Sequence, residues 1–176
     1  KRPALDPKDE SVICAKEQLL EPLMACYDSL REVGDMTVAD GFLLDLIRQV
    51  HNFGMGLVKL DIRQESDRHA DALDAVTKHI GLGSYAEWDE EKRTAFLVGE
   101  LEGKRPLIAN DLECSAEVRE VRDTFRMVAH LQKVCPGSLG TYVISMATVA
   151  SDVLAVVLLQ RECGGDPAAL LNVAPL

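Results

Sequence analysis

Val58-Lys59-Leu60-Asp61-Ile62-Arg63-Gln64-Glu65-Ser66 is the stretch on which the fold turns. Apolar Val58, Leu60 and Ile62 alternate with charged Lys59, Asp61 and Arg63. That period of two predicts a strand with one apolar and one charged face. At Ser66 the period changes: Ala70, Leu73 and Val76 recur at helical spacing to about His79, with Ser66 as the candidate N-cap. A strand running straight into a helix is the opening of a βαβ unit, in which helical crossovers bring strands together in parallel.

Upstream, Val12, Ile13, Leu19, Leu20, Leu23, Tyr27 and Leu30 lie at helical spacing behind a candidate N-cap at Ser11, and Pro22 predicts a bend or break. Gly34-Asp35 closes that helix. Asp40 is expected to cap a second one, with Phe42, Leu43, Leu46, Ile47 and Val50 as its apolar stripe. Downstream, the tract Gly81-Leu82-Gly83-Ser84 reads as a turn. Ser84-Tyr85-Ala86-Glu87 has capping-box spacing ahead of a helix carrying Trp88, Phe96, Leu97 and Leu101. A loop at Gly103-Lys104-Arg105-Pro106 precedes a helix over about Ser115 to Leu131. Pro136-Gly137 then turns the chain into a strand, Tyr142 to Ala147. The next helix, capped by Ser151 or Asp152, has Val153, Leu154, Val156, Val157, Leu158 and Leu159 nearly all round, which predicts burial on several sides. Gly164-Gly165 ends it, and Leu170 to Leu176 is a final strand. The order gives a helix-rich α/β fold with parallel strands. Roughly eighty residues between the first two strands exceed a minimal βαβ unit, so an elaborated barrel or sheet with long helical insertions is expected, as one region over 1–176.

The chain has 176 residues, 47% of them apolar, enough for one well-filled core. With 29 acidic against 19 basic residues its formal charge is −10, which argues against a nucleic-acid-binding module. No apolar run reaches membrane-spanning length, Val153 to Leu159 being far too short, and the opening KRPALDPKDE does not read as a signal segment. Five scattered cysteines, Cys14, Cys26, Cys114, Cys135 and Cys163, form no C-x-x-C pair, as expected of reduced thiols in a cytoplasmic protein. A chain closing on an apolar strand leaves an unpaired edge, so a piece of a longer protein is expected.

The densest polar group, Asp61 to Ser66, sits where a strand ends and a helix begins. In parallel α/β folds that is where ligands bind, and an arginine there offers a fixed fork of donors to a carboxylate or phosphate. The alternative is a buried ion-pair ladder of Lys59, Asp61 and Arg63. His51, His69, His79 and His130 match no metal pattern and read as structural or surface residues. Asp89-Glu90-Glu91 suits the start of a helix. Lys104-Arg105 could touch a phosphate, although the bland reading is a basic loop. Gly137-Ser138-Leu139-Gly140 lacks the ending of a phosphate loop, and Ser145 and Thr148 are supporting hydroxyls at a strand end. No nucleophile with an adjacent base and no metal-holding carboxylate pair is evident. A non-catalytic helical α/β interaction or scaffold module is the alternative to an enzyme.

The strings LVKLDIRQESDRHADALDAVTKHIGLGSYAEWDEEKRTAFLVGELEGKRPLI and GTYVISMATVASDVLAVVLLQREC resemble phosphoenolpyruvate carboxylase, as does EPLMACYDSLREVGDMTVADGFLLDLIRQVHNFGMG before them. SYAEW-DEEKR is more similar to the plant and algal type than to the bacterial. The resemblance implies an internal segment of a (β/α)8 TIM-type barrel. It also implies an activity that joins phosphoenolpyruvate and bicarbonate to give oxaloacetate and phosphate, and a cytoplasmic homotetramer with neither nucleic acid nor membrane as partner. It places Arg63 in the active site against substrate anion groups, with Gln64 as its substrate-binding neighbour. The family's T-A-H-P-T-E histidine and its L-F-E-T metal ligand do not occur here. The resemblance therefore implies that Mg or Mn is bound outside this segment and that the segment alone is inactive. Val149-Ala150, where the family usually has proline before the serine, and Asn172-Val173-Ala174-Pro175 depart from the pattern.

Overall fold

A computed structural model of the chain describes residues 12–13, 15–56, 58–108, 112–135, 137–164, 166–168 and 170–176. The expectations resting on Ser11, Cys14, Pro136 and Gly165 lie outside them. The chain divides into two compact units, Lys1–Lys59 and Leu60–Leu176.

The first unit is helical. Helix α1 spans Lys16–Glu32, with Gln18 Oε1 accepting from the Ala15 N–H (3.0 Å) at its start. It runs through Pro22 without a break, contrary to one of the two expected effects. Proline removes one helical hydrogen bond, and the Leu, Glu, Gln, Met and Ala residues around it are strong helix formers. The next helix does not begin at Asp40. Asp35 caps a short turn, α2 (Met36–Val38), accepting from the Val38 N–H, and a π-helical turn, Ala39–Leu43, leads into α3 (Leu44–Phe53). Gly41 at φ −84°, ψ −135° interrupts the helix there. Asp40 instead accepts a hydrogen bond from the Tyr27 hydroxyl (2.9 Å), tying this turn to α1. The apolar stripe splits: Ile47 and Val50 are buried, whereas Phe42 is 95% exposed and Leu46 is also exposed.

The second unit holds the sheet. Strands β1 (Leu60–Glu65), β2 (Leu139–Ser145) and β3 (Val173–Pro175) lie in the order β1-β2-β3, every pair parallel. The expected helical crossovers join them: α4 (Ser66–His79), α5 (Glu90–Glu102) and α6 (Ala116–Val134) between β1 and β2, and α7 (Ala150–Glu162) between β2 and β3. Strand β2 starts three residues before its expected position and ends two before.

Periodicity places one side of this sheet in the core. Tyr142 and Ile144 are buried, and in register with them on β1 stand Ile62 and Gln64, both half-buried. The Tyr142 ring stacks on Phe125 of α6 (5.0 Å, 14°), and Leu73, Val76, Leu97, Val121, Val156, Leu158 and Leu159 fill the same core. Helix α7 is buried on several sides, as its composition predicts. Val58 and Leu60 depart from the expected apolar face, at 76% and 63% exposed. A register shift separates Leu60 from Ile62, and only from Ile62 onward does β1 pack against the core.

Several caps differ from those expected. Ser66 is the first residue of α4, not its cap. Ser84 gives its hydroxyl to Asp74 (2.6 Å), and Asp89 caps α5, accepting from the Lys92 N–H (2.8 Å). Tyr85–Glu87 is a separate 3-10 turn, because Trp88 returns to extended backbone before α5. Ser115, expected only as the approximate start of a helix, is the N-cap of α6, accepting from the Val118 N–H (3.3 Å). At α7, Asp152 reaches back to accept from the Thr148 and Val149 N–H groups (2.9 and 3.2 Å). Gly81 and Gly83, at φ 76° and 98°, form the expected turn after α4 in a region that side chains disfavour.

Candidate functional site

Alternation along β1 puts Asp61, Arg63 and Glu65 on the face opposite the helices. In register with Arg63 is Val143, and next to Val143 is Ala174; Glu65 lies beside Ser145. Every one of these residues keeps some exposure, so this unit leaves the face open towards the C-terminal ends of the strands. There the Arg63 guanidinium is exposed, and among the described residues no ion pair or hydrogen bond engages it. The alternative ladder does not form: Lys59, Asp61 and Arg63 are all exposed, so no buried ion pairs stack along the strand. Asp61 has different work. Its Oδ1 accepts from the Thr141 N–H (2.7 Å) at the register shift, bracing β1 against β2 just before Arg63.

Gln64 points the other way. It shares the helix-side face with Ile62, and its Oε1 accepts from the Glu65 N–H (3.0 Å). The two site residues named from the sequence are thus neighbours in the chain but lie on opposite faces of the strand. Beyond them the strand ends are laced together. Ser145 Oγ donates to Gln64 O (3.3 Å), Ser66 Oγ donates to Met146 O (3.0 Å), and the Leu176 N–H donates to Ile144 O (2.8 Å). Ser145 is therefore a supporting hydroxyl, as expected; Thr148 contributes only its backbone N–H to Asp152.

Two carboxylates occupy the start of α7. Glu90 accepts from the Ser151 N–H (2.9 Å) and hydroxyl (2.6 Å), and Asp152 takes the two N–H groups before it. Burial raises the Glu90 pKa, but the Ser151 and Thr94 hydrogen bonds outweigh it and hold the carboxyl below its ordinary value. The N–H groups at the start of α7, of the kind that bind phosphate at helix N-termini, are already engaged by the protein's own negative groups.

His69 has the structural role expected of it, and the structure adds its partners. It is wholly buried beneath β2, with Nε2 2.9 Å from the Tyr142 hydroxyl and its ring tilted against Phe125 and Tyr142. Burial pulls its pKa down to about 4, a shift partly opposed by the Asp152 charge. Burial likewise raises the Tyr142 pKa. The pair is a neutral structural hydrogen bond near pH 7. Its signal was present in the pattern, since Ser66, His69, Leu73 and Val76 share one helix face.

The basic loop has partners of its own. Arg105 pairs with Glu100 (3.1 Å), and Arg161 donates to the carbonyls of Glu100, Leu101 and Gly103. Glu162 closes the arrangement, accepting from the Leu107 and Ile108 N–H groups. Arg161 and Glu162 end α7, at the far end of that helix from Ser151, so the loop is remote from the strand ends that carry Arg63. No group of three His, Cys, Asp or Glu placed to hold a metal ion occurs among the described residues, and no helix among them is long and apolar enough to cross a membrane.

The family model of phosphoenolpyruvate carboxylase matches residues 1–176. The chain is 55% identical over 172 residues to phosphoenolpyruvate carboxylase 2 of Arabidopsis thaliana, covering 97% of this chain and 17% of that protein. Over 157 residues it is 59% identical to the C4 phosphoenolpyruvate carboxylase of Flaveria trinervia, covering 89% of this chain and 16% of the relative. With phosphoenolpyruvate carboxylase 1 of Sorghum bicolor it shares 58% identity over 155 residues, 88% of this chain and 16% of the relative. The chain thus spans about a sixth of the length of the curated relatives it matches. With the parallel strands, the arginine at a strand end and the matched length in agreement, the chain belongs to the phosphoenolpyruvate carboxylase family.

Proposed function

We propose that this chain is an internal segment of a (β/α)8-barrel phosphoenolpyruvate carboxylase, and that Arg63 binds an anionic group of phosphoenolpyruvate while bicarbonate converts it to oxaloacetate and phosphate. One observation carries the reading. A guanidinium with no partner among the described residues stands on an open sheet face, at the C-terminal end of a parallel strand, beside Val143 and with Ala174 one strand further. In parallel barrels that end carries the chemistry, and apolar neighbours strengthen the field of a fixed charge.

In this reaction a bicarbonate oxygen attacks phosphorus as the bond from phosphorus to the enol oxygen breaks. Carboxyphosphate and the pyruvate enolate result; carboxyphosphate releases CO2 and phosphate, and the enolate carbon captures the CO2. Each species is anionic, and a preset fork of donors stabilises charge without reorganising. Arg63 supplies such a fork, and Gln64 takes a substrate-binding part from the other side of the strand end. The Mg or Mn ion that the family implies is, on this reading, bound by residues outside the segment, where it would neutralise phosphate and enolate charge. The full-length protein is read as a cytoplasmic homotetramer, with neither nucleic acid nor membrane as partner.

The test is Arg63→Ala in the full-length protein, measuring bicarbonate-dependent phosphate release. Activity is expected to fall about a hundredfold or more, roughly 2.7 kcal/mol of transition-state stabilisation. Activity within about tenfold of wild type, roughly 1.4 kcal/mol, refutes the role of Arg63.

A further inference from the structure

We propose that Ser66 is a positioning residue for Arg63, acting through the backbone of Met146; the proposal rests on the reading of Arg63 given above. Met146 is the one described residue other than glycine with a positive φ, 61°, and it is 73% exposed at the end of β2. An L side chain resists that region because its Cβ crowds the following carbonyl. Such a conformation persists only where surrounding bonds hold it, and it gathers at functional sites.

The bond that holds it comes from Ser66. A serine at the N-cap ordinarily turns its hydroxyl onto the N–H groups of the first turn, but Ser66 is one position further in, the first residue of α4. Ser66, 7% exposed, instead donates to the Met146 carbonyl on the neighbouring strand's exit (3.0 Å). Next to it, the Ala147 N–H donates to Leu176 O (3.3 Å), continuing the lacing to the end of β3. Arg63 precedes Ser66 by three residues and follows Asp61 by two. Its backbone is therefore held between two cross-strand ties, Asp61 to Thr141 below and Ser66 to Met146 above. Loss of the upper tie frees Met146 to relax to an ordinary φ, carries its carbonyl away, and loosens the strand end from which the guanidinium projects. The bound substrate then meets a misplaced fork, a defect felt first in binding.

The experiment uses the full-length protein, as wild type, Ser66→Ala and Ser66→Ala/Met146→Gly. kcat and KM for phosphoenolpyruvate are measured at saturating bicarbonate, with a thermal melt for each. Ser66→Ala is expected to raise KM about tenfold, to change kcat less than about threefold, and to melt within a few degrees of wild type. Glycine occupies φ 61° without penalty, so the double variant should recover KM to within about threefold of wild type. An unchanged KM in Ser66→Ala, or a double variant no better than the single, overturns the proposal alone. A melting point lowered by more than about 5 °C also overturns it, assigning the hydroxyl a purely structural role. Wild-type protein without bicarbonate-dependent turnover overturns the reading of the site, and this inference with it.

Discussion

Lowering the pH from 7 to 5 is expected to weaken the fold chiefly through one buried imidazole. His69 is fully buried, bonded through Nε2 to Tyr142, and its pKa falls from 6.5 to about 4 because burial disfavours the charged ring. The unfolded chain therefore binds this proton more tightly than the folded one, and stability rises with pH across the window between the two values. The contribution is full above about 6.5 and is lost as the pH falls towards 4. Linkage with these two values gives a loss of about 2 kcal/mol between pH 7 and pH 5. The carboxyls of Asp74 and Glu90, held below their ordinary values, fade only at lower pH. Denaturant unfolding at the two pH values, for wild type and for His69→Gln, isolates the term. The glutamine can keep a hydrogen bond to Tyr142 but cannot take the proton. Wild type should lose about 2 kcal/mol more than the variant over this interval. A difference below about 0.5 kcal/mol would show that His69 is not held neutral by its surroundings, and the account of the core beneath β2 would fail.

Phe125→Ala removes the ring stacked on Tyr142 from a fully buried site, and denaturant unfolding should show a loss of about 3–5 kcal/mol. Glu90→Ala strips the Ser151 N–H and hydroxyl of their shared acceptor; a loss of about 1.5–3 kcal/mol is expected by the same assay, with the α7 amides exchanging faster with deuterium. Arg63→Lys keeps the charge but gives up the planar fork, so in the full-length protein kcat/KM for phosphoenolpyruvate should fall about tenfold or more, less than for Arg63→Ala. Equal activity of Arg63→Lys and wild type would mean that charge alone suffices there.

The parts of the fold legible in the sequence are those written in periodicity. The β1-to-α4 transition and the all-round apolar α7 followed from spacing, and the parallel pairing followed from the order of elements. Expectations failed where a polar side chain had a choice of partner. Ser66, Ser84 and Asp40 all have cap-forming chemistry, yet each bonds to a residue distant in sequence: Met146, Asp74 and Tyr27. Propensity counts the nearest backbone N–H as the default partner, and tertiary packing offered each a competitor. Arg63 was legible because its position depends only on strand alternation. The face it occupies was not fully so: Gln64 follows it in the motif but falls on the helix side, and Asp61 serves the register shift in place of an ion-pair ladder.

On the proposed role of Arg63, charge placement around the strand ends accounts for an anion contact in so acidic a chain. An excess of ten negative charges works against such binding everywhere except where fixed positive groups stand out locally. The segment does not use the start of α7 for this purpose, because Glu90 and Asp152 already occupy its N–H groups. Around the basic loop, Arg105 is committed to Glu100 and Arg161 of α7 to three carbonyls and Glu162. Each of these positive groups is quenched within hydrogen-bonding distance. Arg63 is not, and neither Val143, in register beside it, nor Ala174, one strand further, brings a carboxylate to compete for it. Asp61 and Glu65, two positions before and after it on the same face, make no ion pair with it, and Asp61 accepts from the Thr141 N–H, so part of its charge is already satisfied by the sheet. The negative balance of the chain thus narrows the search for the proposed anion contact instead of contradicting it.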